Sequence, residues 1–235
     1  MKNPIKDQTQ DLSTWKKLLA YTVPDSYKLR FLVNMSKLKA WEKKQDSFPT
    51  FGTRFELYEF VQKQYFENEP IDYLEFGVWT GITIDFWRKL NQNLQSRFYG
   101  FDTFTGIPED WHNLLQDIPK GSWDAKGKPP QIDDKRIMFY KGLFQKTLDG
   151  FLEKYKPNNQ IVIHNDSDLY SSSLYLLTRI HDIIKKNTII IFDEFSNVMH
   201  EFQALEDYCS AYQRTYNVIA STNDYYQRVA IQFDN

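Results

Sequence analysis

The chain predicts an α/β fold: a doubly wound, mostly parallel sheet of seven strands, with a C-terminal antiparallel hairpin and an N-terminal helical arm. Three observations predict it. From Ile71 onward, short apolar runs alternate with helix-period segments, the pattern of βαβ units. Two of the runs, Ile161–Tyr170 (IVIHNDSDLY) and Thr188–Phe195 (TIIIFDEF), are branched and apolar without alternation, as strands buried on both faces are, and both end in carboxylates. The last two runs, Tyr216–Ala220 and Arg228–Phe233, have the turn-prone Thr222-Asn223-Asp224 and no helix between them, so they pair antiparallel.

The elements follow in order. Residues 1–50 form the arm, with Trp15, Leu18, Leu19, Leu29, Phe31, Leu32, Leu38 and Trp41 as apolar contacts and Pro24 and Pro49 as punctuation; the α/β domain is 51–235. Thr53–Phe66 reads as an amphipathic helix through Tyr58, Val61 and Tyr65, stopped by Pro70. Strand Tyr73–Val78 and helix Gly81–Leu90 come next, then strands Phe98–Phe101 and Arg136–Tyr140. Between these two strands, 103–135 is irregular and rich in Pro and Gly, too long for a mere connection, and reads as a lid. Helix Phe144–Tyr155, strand Ile161–Asn165, a helix carrying Leu174 to Ile184, strand Thr188–Phe192 and helix His200–Gln213 lead into the hairpin.

Composition excludes several classes. Lys+Arg number 29 and Asp+Glu 31, a net charge of −2, so no field draws the chain to nucleic acid or an anionic membrane. A single cysteine, Cys209, rules out a disulfide framework or a Cys-rich metal site, and its place on an apolar helix face points to packing. The polar start MKNPIKDQTQ lacks a signal-peptide core and no apolar run nears the ~20 residues of a membrane span, so a cytoplasmic location is expected.

The chemistry gathers at strand ends, where open α/β sheets bind ligands. The first strand runs into Glu75-Phe76-Gly77-Val78-Trp79-Thr80-Gly81, a turn whose glycines let backbone come close. It is neither G-x-G-x-x-G nor a P-loop, which disfavours dinucleotides and triphosphates. A ligand with an amino acid end and a ribose fits better, its carboxylate at the helix start Gly81–Thr83 and its ribose hydroxyls on Asp102 at the second strand's tip, followed by Thr103. S-adenosylmethionine is such a ligand. A turn without a ligand, with Asp102 capping Thr103–Gly106, is the plainer alternative.

Asp166, Asp193 and Glu194 converge at two neighbouring tips, and three carboxylates there need a counter-charge. A divalent cation provides one, Mg²⁺ first among the oxygen-preferring Mg²⁺, Ca²⁺ and Mn²⁺, unless the acids merely cap helices. Asp168, two residues after Asp166 on an extended chain, faces the same side and can accept a substrate proton; His164 competes but sits within the strand as a core histidine would. His181 and His200 suit surface or packing roles, and His112 lies in the lid.

Taken together, EFGVWTG, FYGFDTFTGIPEDW, KGLFQKTL, IHNDSDLYSSS and IIIFDEF resemble the macrocin O-methyltransferase (TylF-type) family from about Phe51 to the C-terminus. The resemblance implies a Rossmann-like, metal-dependent enzyme that uses S-adenosylmethionine to methylate sugar hydroxyls of natural products. By position it implies a cofactor site at Glu75, Gly77, Trp79, Gly81, Thr83, Asp102 and Thr103, with Gly142 and Leu143 near the adenine. It makes Asp166, Asp193 and Glu194 the metal ligands and Asp168 the general base, taking a proton from a hydroxyl chelated by the cation. Asn165, where an apolar residue is usual, and Glu194, where a second Asp is usual, depart from the pattern. A catechol-like acceptor, or an S-adenosylmethionine-binding protein without catalysis, are the alternatives. The expected partner is a small-molecule acceptor, with the arm as a surface for a homo-oligomer.

Overall fold

The computed structural model describes residues 5–22, 26–114 and 116–235; Pro24 lies outside them. Its elements are α1 (Ile5–Thr22), α2 (Tyr27–Glu42), β1 (Thr50–Phe51), α3 (Arg54–Val61), β2 (Ile71–Phe76), α4 (Ile82–Leu90) and β3 (Arg97–Asp102). They continue with β4 (Trp111–His112), β5 (Asp117–Ile118), β6 (Ile137–Lys141), α5 (Phe144–Leu152), β7 (Gln160–Asn165) and α6 (Tyr170–Arg179). β8 (Ile189–Phe192), α7 (Glu201–Tyr212), β9 (Tyr216–Thr222) and β10 (Val229–Phe233) complete the chain.

The main sheet has the order β1-β9-β10-β8-β7-β2-β3-β6. It is parallel except at β10, which runs antiparallel to both β9 and β8, as the missing helix implies. The sheet has eight strands where seven were expected. The extra one, β1, pairs only Thr50 and Phe51 with Ser221 and Thr222, and two residues leave no periodic trace in a sequence. The segment 103–135 is likewise not wholly irregular, since β4 and β5 form a small antiparallel ribbon within it.

Alternation along the central strands shows why they read as unbroken apolar runs. Ile163, Ile190 and Phe192 pack on one side with Leu176, Leu177, Phe202 and Leu205 of α6 and α7. Val162, Ile189 and Ile191 pack on the other with Leu57, Tyr58, Ile84 and Trp87 of α3 and α4. Both faces are therefore covered, and period two is hidden in residues that are all apolar.

The helices end earlier than their apolar patterns. A capping box between Thr53 and Glu56 starts α3, which passes at Val61 into a π-helical turn over Gln62–Phe66. α5 stops at Leu152, and α6 stops at Arg179 before a 3₁₀ turn at His181–Ile183. Among the described side chains of the arm, only those of α2 reach the core. Leu38 and Trp41 are buried, with the Trp41 ring 4.9 Å from Phe195 and its Nε1 donating to Tyr216 Oη at 2.9 Å. Trp15, Leu18, Leu19, Leu29 and Leu32 are exposed instead of packed. Cys209 packs against the core, and burial pushes its thiol up to about 12. No described helix is long and apolar enough to cross a membrane.

Candidate active site

Register places the site. Phe76 of β2 lies level with Asn165 of β7, and Asn165 with Phe192 of β8. The residues that leave these tips, Gly77, Asp166 and Asp193, therefore emerge side by side. Their amides extend the ladder by one step: Gly77 N–H donates to Phe101 O at 2.9 Å, Asp166 N–H to Phe76 O at 2.9 Å and Asp193 N–H to Asn165 O at 3.0 Å. Gly77 sits at φ 96°, and a Cβ there would lie 1.8 Å from the Asp166 carbonyl oxygen. This glycine is required by the neighbouring strand tip itself, and not only by approach of a ligand.

Asp166, Asp193 and His164 offer ligand atoms that all lie within 4.8 Å of one another. Asp193 is already matched with positive charge. Arg228 donates through Nε to Oδ1 at 3.1 Å and through Nη2 to Oδ2 at 3.2 Å; Arg54 stands 3.7 Å away, and Tyr58 Oη donates to Oδ1 at 3.2 Å. The fully buried His164 lies between Asp193, at 3.6 Å, and Glu75, at 3.8 Å. Burial opposes its charge, but the two carboxylates outweigh burial and push it up to about 9. Burial also disfavours the charge on Asp193, yet His164 and the two arginines hold its carboxyl well below the usual range.

The other acids are held by no arginine: His164 favours the charge on Asp166 and Arg228 that on Glu194 only through space. Among the described residues, neither Asp166 nor Asp168 makes a side-chain hydrogen bond or ion pair. Burial, then Asp193 and Asp168, raise Asp166 well above the carboxylate range. Burial, Glu194, Asp193 and Asp102 push Asp168 up to about 8. Asp168 also has φ 60°, a left-handed conformation that a non-glycine residue holds only under constraint. Glu194 falls outside the Asp166–Asp193–His164 group. Its Oε2 accepts from Asn197 Nδ2 and Gln227 Nε2, and burial with Asp193 pushes it up to about 7.

Glu201, which the sequence did not single out, is fully buried beside them. Its Oε2 accepts from Glu194 N–H at 2.9 Å, Oε1 has no partner, and burial raises its carboxyl strongly. A buried glutamate on the inward face of α7 leaves no distinct mark in the sequence.

The cofactor-side residues separate into two groups. Asp102 Oδ2 accepts from Val78 N–H at 2.8 Å and Trp79 N–H at 2.7 Å, while Oδ1 accepts from Phe104 N–H at 2.6 Å. Asp102 thus ties its own turn to the β2–α4 turn, the capping role that was the plainer alternative for it. Around it stand Trp79, exposed and at φ 48°, Gly81 at φ 80° before α4, Thr103, and Gly142, whose N–H donates to Asp102 O at 2.9 Å. Leu143 is exposed at the start of α5 and Thr83 is buried in α4. Glu75 is different. It is buried within the sheet, accepts from Tyr73 Oη at 2.6 Å and faces His164, with Oε1 unpartnered.

The segment 103–135 is anchored to the rest of the fold. Trp111 of β4, Ile107 and Leu169 form a separate small core, and Leu169 directly follows Asp168. Trp111 stacks on His200 with centroids 5.5 Å apart at 15°. His200 is not a free surface residue. Its Nε2 reaches His112 O at 2.7 Å and its Nδ1 accepts from Tyr170 N–H at 3.3 Å, while Tyr27 of α2 donates to the same His112 carbonyl at 2.7 Å. Burial lowers His200, in keeping with one donor and one acceptor nitrogen on a neutral ring. The His112 side chain pairs with Asp117 on the surface. Between the segment 103–135 and the β2–α4 turn lies an open pocket of about 300 Å³ lined by Trp79, Thr80, Asp124, Ala125, Lys126, Lys128 and Pro130. Replacing His200 with Ala removes the stacking face and the anchor, and is expected to speed proteolytic cleavage within 103–135 several-fold, by mass spectrometry of timed digests. Cleavage at the wild-type rate would contradict the anchor.

The family model described as Macrocin-O-methyltransferase (TylF) matches residues 53–228. Among solved structures, the O-methyltransferase NovP superposes with a TM-score of 0.58 at 20% identity, over 77% of this chain and 80% of NovP. CalS11, a calicheamicin methyltransferase, gives 0.58 at 20% identity over 99% and 94% of the two chains. A second CalS11 structure, described as a TDP-rhamnose 3′-O-methyltransferase, gives 0.53 at 19% over 91% and 98%. No curated protein sequence matches the chain.

Proposed function

The chain belongs to the macrocin-O-methyltransferase (TylF) family of S-adenosylmethionine-dependent O-methyltransferases, and from that premise we propose that it methylates a sugar hydroxyl of a natural product with the help of a divalent cation. The observation that carries this reading is the juxtaposition of Asp166, Asp168 and Glu194, acids whose carboxyls stay raised although His164 favours the charge on Asp166 and Arg228 that on Glu194, beside the cofactor-type turn of Trp79, Gly81 and Asp102. Oxygen donors of raised proton affinity, partly screened from water, fit a hard divalent cation. The turn fits S-adenosylmethionine in the same sense, with a carboxylate at a strand tip and a left-handed glycine opening the helix.

Asp166, Asp193 and Glu194 would hold the cation, Glu194 turning from Asn197 and Gln227 to do so. Such an ion neutralises the acids and acidifies a hydroxyl that it binds. Asp102 would receive the ribose hydroxyls of S-adenosylmethionine, which supplies a methyl group activated on a sulfonium. Asp168, unpartnered and at the same edge, would take the proton of the acceptor hydroxyl as its oxygen closes on the methyl carbon. The segment 103–135, anchored through its own Ile107 and Trp111 on Leu169, would act as a lid and exclude water from that encounter.

Methyl transfer from labelled cofactor to sugar-bearing acceptors is expected to fall at least tenfold after chelation with EDTA and to return with Mg²⁺. Full activity in EDTA would remove the cation from the reading. Absence of S-adenosylmethionine binding by calorimetry would remove the cofactor assignment.

A further inference from the structure

Arg228 is the residue that the reaction leaves unexplained. It directly precedes β10, and because Val229 pairs with Phe192 across the antiparallel β8–β10 ladder, the hairpin delivers Arg228 opposite Asp193. The guanidinium meets both carboxylate oxygens, Nε on Oδ1 at 3.1 Å and Nη2 on Oδ2 at 3.2 Å. Asp224 steadies it from the turn, 3.4 Å from Nη1, and the Arg228 amide donates to Thr222 Oγ1 at 3.0 Å.

The acceptor positions of Asp193 are nearly filled. Each carboxylate oxygen offers about two. Oδ1 takes Tyr58 Oη and Arg228 Nε; Oδ2 takes Arg228 Nη2, with Arg54 Nη1 further off at 3.7 Å. A cation that used Asp193 would have to share it with a held guanidinium and stand close to that positive charge. Asp166 and Asp168 accept from no guanidinium among the described residues, and Glu194 feels Arg228 only through space. The contrast lies within one acidic cluster, and Arg228 from the last hairpin shares it with His164 and Arg54, as the one guanidinium that grips both carboxylate oxygens.

We propose that Arg228 is a positioning residue that fills the electrostatic place of a cation at Asp193 and thereby sets how tightly the acidic strand tips hold a divalent metal. This rests on the cation reading above. Removing the guanidinium charge relieves repulsion toward a dication and frees acceptor positions on Asp193, so both effects act in the same direction, toward tighter binding. A residue that merely buttresses the hairpin would do neither.

The test is titration of the full chain with Mn²⁺ alone, following free Mn²⁺ by electron paramagnetic resonance, for wild type, Arg228→Gln and Arg228→Lys, with melting curves alongside. Arg228→Gln is expected to bind Mn²⁺ about tenfold more tightly than wild type. Arg228→Lys, which keeps the charge, should stay close to wild type. Equal or weaker binding by a folded Arg228→Gln overturns the proposal, as does an identical gain in both variants. If Arg228→Gln does not fold, Arg54→Gln serves, with a smaller gain in the same direction expected and no gain overturning the idea. Failure of every protein to bind Mn²⁺ would overturn this proposal together with the cation reading; binding by wild type with no gain in any variant overturns only the role of Arg228.

Discussion

Asp168→Asn is expected to lower methyl transfer by about a thousandfold, the scale of a lost general base, while leaving S-adenosylmethionine affinity within a few-fold of wild type. The substitution keeps the size of the side chain and removes its capacity to take a proton. Asp168 makes no side-chain hydrogen bond or ion pair among the described residues, so no network collapses with it. Its left-handed backbone also favours the choice, because Asn tolerates that conformation better than most residues. Near-normal stability should therefore accompany the loss, and calorimetry of cofactor binding with single-turnover kinetics would separate the two effects. The alternative base is His164, but it is enclosed by Tyr58, Tyr73, Glu75 and Asp193, and its Nδ1 lies 3.0 Å from Tyr73 Oη. Turnover that survives in Asp168→Asn would move the base to Asp166 or to solvent.

That His164 is a core histidine was readable from its place inside a strand, and its two carboxylate neighbours were not. Glu75 comes from the adjacent strand at the same level, a consequence of the Glu75–His164 register. Asp193 lies one step beyond Phe192 on the other side. Acidic strand tips and alternating elements are local in the sequence, so the sheet and the edge carrying the site were legible. Counter-charges are not local. Arg228 reaches Asp193 across 35 residues through a hairpin register, and Arg54 comes from the start of α3. Of the three acids expected to need a counter-charge, Asp193 therefore finds it within the protein, in His164, Arg228 and Arg54, while the carboxyls of Asp166 and Glu194 stay raised.

Asn165 shows the same limit at shorter range. An amide at a strand tip where apolar residues are usual has no evident purpose in the sequence. In the fold it is fully buried, donates to Ser173 Oγ at 3.1 Å and accepts from Ser167 Oγ at 2.7 Å. It thus clamps the loop carrying Asp166 and Asp168 to α6. The two serines that complete it sit in the polar run DSDLYSSS, and their inward turn depends on where α6 begins.

Gly77→Ala is expected to be the most damaging single-methyl change at this edge. Its Cβ would stand 1.8 Å from Asp166 O and 2.7 Å from Asp166 C, both backbone atoms that cannot rotate away. The φ of 96° adds strain for any L side chain. Overpacking of 1–3 kcal/mol with backbone strain of 1–2 kcal/mol gives a destabilisation of about 2–5 kcal/mol, a large share of a typical domain's 5–15 kcal/mol. In a chain of this size that corresponds to a fall in Tm of roughly 5–20 °C. The remaining protein should also lose activity, because relief of the clash moves Asp166 away from the level of Asp193. Gly150→Ala is the matched control: it lies inside α5, has nothing within 4 Å of its added Cβ and gains helix propensity, so its Tm should hold or rise. Equal Tm values for the two variants would show that the close approach of β2 and β7 does not constrain this edge; a wide gap would trace the position of Asp166 to a glycine that the ligand need never touch.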